Sequence, residues 1–144
     1  MDGILHIIYA VAFFGLRWGV VLGSILPDVL YYVATIKAKL NIRIARQSRI
    51  FRIGERMHSI FVLPLIFLTV YCILKVEAIL YLVASIYLHL LLDMITHKDS
   101  GPRFLWPLLD RYYPRGLGQW EDLKVSCTAY MIGVALLVMR YATP

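Results

Sequence analysis

His89, Asp93 and His97 stand four residues apart, so on a helix they project from one face over two turns. A histidine and a carboxylate at i and i+4 can chelate one divalent ion. Imidazole nitrogen with carboxylate oxygen is a ligand set suited to zinc, with manganese or iron as other first-row choices. Open positions on such an ion leave room for an activated water, and the chemistry implied is hydrolysis. Each polar residue also has a plainer use. Asp28 after Pro27 can cap a helix, His58 and Ser59 can sit at an interface where a helix starts, and His97 before Lys98 can favour a helix C-terminus electrostatically.

The elements that must position these groups read as membrane helices. Of 144 residues, 60% are hydrophobic and 17% charged, against roughly 45 to 50% and ~25% in soluble domains. One domain over residues 1–144 is expected. The net charge of +6 falls in blocks, which records topology and contact with anionic lipid and makes nucleic acid an unlikely partner. Cys72 and Cys127 form no C-x-x-C pair and lie in apolar runs, so neither a disulfide framework nor a zinc knuckle is indicated. No cleavable signal peptide is expected, because Asp2 occupies the start and the run from Ile4 has no basic flank or A-x-A site.

Residues 4–36 form a first apolar stretch interrupted by Arg17, Gly23, Pro27 and Asp28. Arg17 falls near the centre of a helix starting at Ile4, at a cost of ~2.5 to 3.5 kcal/mol unless it pairs or snorkels, so a bend or re-entry between Gly15 and Pro27 is expected. Residues 37–56 carry Lys37, Lys39, Arg43, Arg46, Arg49, Arg52 and Arg56 against Glu55. Their spacing, with Leu40, Ile44 and Phe51, predicts a basic amphipathic helix at a cytoplasmic interface, in contact with anionic headgroups. The uncharged run 57–74 and the run 78–92 predict a transmembrane hairpin, and 125–139 one more short span. Between them, 97–124 reads as an ordered interfacial loop with Trp106, Tyr112, Tyr113 and Trp120. The fold class is all-α: a polytopic membrane bundle of three to four transmembrane or re-entrant helices and one basic amphipathic helix.

With the basic loop inside, the 57–74 helix runs outward and the next returns. Asp28, Glu55 with His58, and His89 with Asp93 and His97 then reach one membrane face from three distant parts of the chain. Intramembrane or near-membrane Asp and His are costly and usually pair or bind something. His6 lies on the opposite face in a single outward span, and only a re-entrant first segment brings it to the site. Asp99, Asp110, Glu121 and Asp122 read as solvated loop charges, and Arg103, Arg111 and Arg115 as groups that meet phosphate.

Gly23-Ser24-Ile25-Leu26-Pro27-Asp28, Met57-His58-Ser59, and His89-Leu90-Leu91-Leu92-Asp93 with Gly101 and Leu105-Trp106-Pro107-Leu108 downstream together resemble the predicted membrane-bound metal-dependent hydrolases, the YdjM-like inner-membrane family. Order and spacing match over about residues 20–108. The resemblance implies that Asp28, His58, His89 and Asp93 are metal ligands. The chain departs from the family in having Leu30 where a further acidic residue often follows and Met57 where Thr is usual.

The function expected is a metal-dependent hydrolase in the inner membrane, acting at its cytoplasmic face on an ester or phosphoester of a lipid-like substrate. Glu55, one turn from His58, is the candidate general base, with a salt bridge to Arg52 or Arg56 as its plainer use. The alternative is a non-catalytic membrane subunit or adaptor whose polar cluster, joined to Arg17, is a structural knot, in a homo-oligomer or with a partner subunit. A third is a transporter component relaying protons.

Overall fold

Gly15 ends the first apolar helix. The computed structural model describes residues 3–97, 103–110, 116, 118 and 122–142. In it α1 (Gly3–Phe14) stops where Gly15 adopts φ +82°, a left-handed conformation that favours glycine, and the Gly15 N–H donates back to the Val11 carbonyl at 2.9 Å. Helix α2 (Trp18–Ile25) then folds back along α1. The first apolar stretch is therefore a helical hairpin, and Arg17 lies in its turn and not at a helix centre. Its guanidinium is half-exposed, 3.7 Å from Glu77 and 4.2 Å above the Tyr81 ring.

Apolar surroundings leave the last carbonyls of a helix without partners. Arg140 supplies them for α1, donating to Ala12 O at 3.1 Å and Phe13 O at 3.0 Å. Arg140→Ala is expected to cost about 1.5 to 3 kcal/mol, the range for hydrogen bonds from a charged donor, read as a lower melting temperature in detergent. An unchanged melting temperature would show that these carbonyls have other partners.

From α2 the chain passes through a 3₁₀ turn, Leu26–Asp28, into α3 (Val29–Lys37). Trp18–Lys37 is one candidate span of 20 residues. The basic segment that follows is helical but divided. Asn41 caps α4 (Ile42–Gln47) by accepting from the Ile44 N–H, and Ser48 caps α5 (Arg49–Met57) by accepting from the Phe51 N–H. These side chains compete for backbone donors and favour a cap over a helix interior, so the basic amphipathic helix is two short ones. Gly54 seats α5 against Tyr31 and Leu30 of α3.

The expected 57–74 span is not straight. It is interrupted at 58–61, and α6 (Val62–Leu74) leaves α5 at 63°. Pro64 is the physical reason, since in a continuous helix its ring would meet the carbonyl of Ile60. Lys75, at φ 55°, closes α6, and α7 (Glu77–Thr96) and α8 (Leu123–Ala142) are full candidate spans. Among the described residues the fold is thus all-helical with three candidate spans, and a fourth if the α5–α6 pair is one.

The most extensive pairing joins α2 to α7. A Cβ on Gly19 would lie 2.2 Å from the Ala78 carbonyl oxygen, and one on Gly23 2.3 Å from that of Leu82. Only glycine permits this approach, the small-xxx-small packing of membrane helices. Leu82, Ile86 and Leu90 of α7 form the core with Phe104. Phe104 comes from the downstream loop, which docks as Ile60 N–H donates to Phe104 O at 2.9 Å and Arg103 N–H to Glu55 O at 3.2 Å. Trp106 is half-buried, 5.6 Å from the Arg56 guanidinium. Asp99, Gly101, Arg111, Tyr112, Tyr113, Arg115, Trp120 and Glu121 lie outside the described residues.

Candidate metal centre

Pro27 loosens the helix ladder where the site is built. It removes one backbone donor, and in the resulting 3₁₀ turn Asp28 faces inward, 7% exposed. One residue beyond the Gly23 contact, the Ser24 carbonyl accepts the Nδ1–H of His89 at 2.7 Å. A second loosened point serves His58. It caps the C-terminus of α5, where carbonyls lack helical partners, and its Nδ1–H donates to Gly54 O at 2.9 Å. Tyr31 stacks on the His58 ring with centroids 4.7 Å apart. Both imidazoles are fully buried.

A carbonyl can only accept, so each Nδ1 carries the proton and each Nε2 of a neutral ring presents a lone pair. Those Nε2 atoms meet two carboxylates. His58 Nε2 is 3.1 Å from Asp28 Oδ1 and 3.7 Å from Asp93 Oδ2; His89 Nε2 is 3.3 Å from Asp93 Oδ2 and 3.8 Å from Asp28 Oδ1. One ligand atom from each of Asp28, His58, His89 and Asp93 lies within 4.8 Å of all the others. Acceptor faces acceptor unless a cation stands among them or the rings take second protons. Backbone carbonyls that fix the tautomer of a ligating histidine are the usual outer shell of a metal site. Asp28 Oδ2 and His89 Nε2 find no hydrogen-bond partner among the described residues. The donor set therefore fits one divalent ion.

The structure brings together the four residues that the resemblance implied and adds His6. The α1–α2 hairpin is the re-entrant arrangement that His6 needed. Its ring stacks on His89 with centroids 3.7 Å apart and 17° between planes, its Nε2 is 3.2 Å from Asp93 Oδ1, and its Nδ1 is 4.0 Å from Asp28 Oδ2. The signal was Gly15, nine residues on, which sets the length of the returning arm. His6→Ala is expected to weaken metal affinity by about 10 to 100-fold, as for outer-shell partners, in a chelator competition titration; an unchanged affinity would leave His6 a packing residue.

His97 stands at the edge of the cluster, its Nδ1 3.6 Å from Asp93 Oδ1, and the remaining polar residues fall outside it. His97 leaves the helix at its C-cap, and its Nδ1–H donates to the Asp93 carbonyl at 2.9 Å. Burial holds its imidazole below the usual range, against the opposing pull of the Asp93 charge. Glu55 lies 3.7 Å from the Arg103 guanidinium, a different partner from Arg52 or Arg56. Arg103 also pairs with Asp110, so this part of the loop is tied by ion pairs. Arg17, at the Glu77 end, is not joined to the cluster. Leu30 packs toward Gly54.

Fold and site together define a polytopic helical membrane protein with a buried Asp and His cluster compatible with metal binding. The family model of the YdjM inner membrane protein matches residues 1–143, and the chain belongs to that family. No curated protein and no solved structure matches it.

Proposed function

We propose that the protein is a metal-dependent hydrolase of the inner membrane, with its polar end at the cytoplasm, acting on an ester or phosphoester of a lipid-like substrate. One observation carries this reading: two buried imidazoles, each locked through Nδ1 to a backbone carbonyl, aim Nε2 at the same two carboxylates. Asp28, His58, His89 and Asp93 would hold the ion, zinc first and manganese or iron otherwise. Such an ion polarises an ester or phosphoryl oxygen and lowers the pKa of water beside it. His6, packed on His89 and against Asp93, keeps both in register. Glu55, proposed from the sequence as general base, serves in this reading as the anchor of the 103–108 segment. The exposed arginines of α4 and α5 draw anionic headgroups toward His58, which ends α5. Seven basic residues over 37–56 support the cytoplasmic orientation.

The test is elemental mass spectrometry on detergent-purified protein. Near-stoichiometric zinc, manganese or iron is expected in the native chain and none in a His58→Ala, His89→Ala double variant. Absence of metal from both would favour the second reading, a non-catalytic subunit or adaptor. The 3.1 Å contact of His58 with Asp28 is the observation on its side, since protonated imidazoles could neutralise the carboxylates in a buried ion-paired knot.

A further inference from the structure

Between α7 and α8 runs a cleft of about 490 Å³, within the roughly 300 to 1,000 Å³ of ligand pockets. Helix α8 packs mainly on α1, where Gly133 meets Ile8 and Tyr9, and the cleft lies on the α7 side of that contact. Its polarity is graded along the bundle. Lys124, in the first turn of α8, and Thr96, in the last turn of α7, stand at one end. Leu92 and Ile95 continue the wall inward on α7, and Ile132 lies eight residues further along α8, about 12 Å deeper. Tyr9 forms part of the floor, and its hydroxyl is already used in a 3.0 Å bond to Ala129 O. Thr96 likewise donates to Leu92 O at 2.8 Å.

Walls that are almost wholly apolar, with the Tyr9 and Thr96 hydroxyls already paired, offer water little. Its lining runs along the two spanning helices, a shape and polarity suited to hydrocarbon. Lys124 is exposed at the mouth beside Asp122, which accepts from its backbone N–H at 2.8 Å, and its ammonium is a cation there that can meet an anionic headgroup. The mouth lies at the end of α7 that carries Asp93. An amphiphile with its tail in the cleft places its anionic headgroup at Lys124 and its headgroup linkage within a turn or two of the cluster.

We propose that this cleft seats one acyl chain of an anionic phospholipid, with the phosphate at Lys124. As the position of a substrate this rests on the hydrolase reading; as a binding site it stands without it.

The test uses the purified full chain in micelles containing phosphatidylglycerol with a photoreactive diazirine at its tail, and peptide mass spectrometry to map the label. Labelling is expected to concentrate on the cleft residues Leu92, Ile95 and Ile132 over Met131, Val134 and Val138, which are comparably exposed on α8 but do not line the cleft. Ala129→Phe, which narrows the cleft, is expected to reduce it about tenfold with metal content unchanged. Lys124→Glu, at an exposed position, is expected to remove the preference for phosphatidylglycerol over phosphatidylcholine with the same tail. His89→Ala is expected to keep the labelling, so loss of metal and loss of the lipid seat are separate results. Even labelling across α8, labelling indifferent to both substitutions, or a cleft protected in a dimer of two copies would each overturn the proposal.

Discussion

Chelating the metal from purified protein at neutral pH is expected to lower its melting temperature in detergent by several degrees, and restoring the metal to reverse the loss. An ion that binds only the folded state stabilises it by about 2.7 kcal/mol when present at a hundred times its dissociation constant. In a small domain each kcal/mol moves the melting temperature by about 2 to 8 °C. The ion's removal also leaves the Asp28 and Asp93 carboxylates, 7% and 2% exposed, facing imidazole lone pairs, and buried charge without compensation is costly. His89→Ala is expected to melt at the same temperature with and without chelator. A native protein indifferent to chelation would overturn the metal reading and leave the ion-paired knot.

Gly23→Leu is expected to be among the most damaging substitutions in the bundle, costing more than about 3 kcal/mol, the upper part of the overpacking range. The new Cβ alone would lie 2.3 Å from the Leu82 carbonyl oxygen and 2.9 Å from Ser85 Cβ. A backbone atom cannot swing aside, so α2 must move away from α7. The His89 to Ser24 bond crosses the same interface, so the variant is expected to lose metal as well as stability. Gly133→Ala gives the contrast: its nearest neighbours are side-chain atoms of Ile8 and Tyr9 at 3.0 Å, which can adjust. Equal melting temperatures for Gly23→Leu and Gly133→Ala would show that the α2–α7 contact is not what holds the bundle.

Long apolar runs made the spanning helices legible, because lipid demands them and little else produces them. The i, i+4 spacing placed His89 and Asp93 on one helix face, and the topology carried Asp28 and His58 to the same depth. What was not legible depended on backbone. The run 57–74 reads as one span despite its Pro64, and the α5–α6 bend turns on where the chain can find substitute partners, here Ser59 Oγ for the Phe61 N–H. The Ser24 and Gly54 carbonyls that orient the two histidines carry no side-chain signal at all. His6 could be placed only by knowing that the arm before Gly15 folds back. Phe104 sits in a segment whose composition reads as interfacial, yet its ring fills the space between α6 and α7.

The pairing of Arg17 with Glu77 and of Arg140 with the end of α1 bears on how the bundle sits in the membrane. In the orientation proposed above, the described basic residues at the end of the bundle that must be translocated are Arg17, Lys75 and Arg140. Two of these three are occupied locally, one by a carboxylate and one by helix carbonyls. Once folded, the far end therefore keeps two of its three cations bound to partners within the bundle, which lowers the cost of holding charge beside lipid.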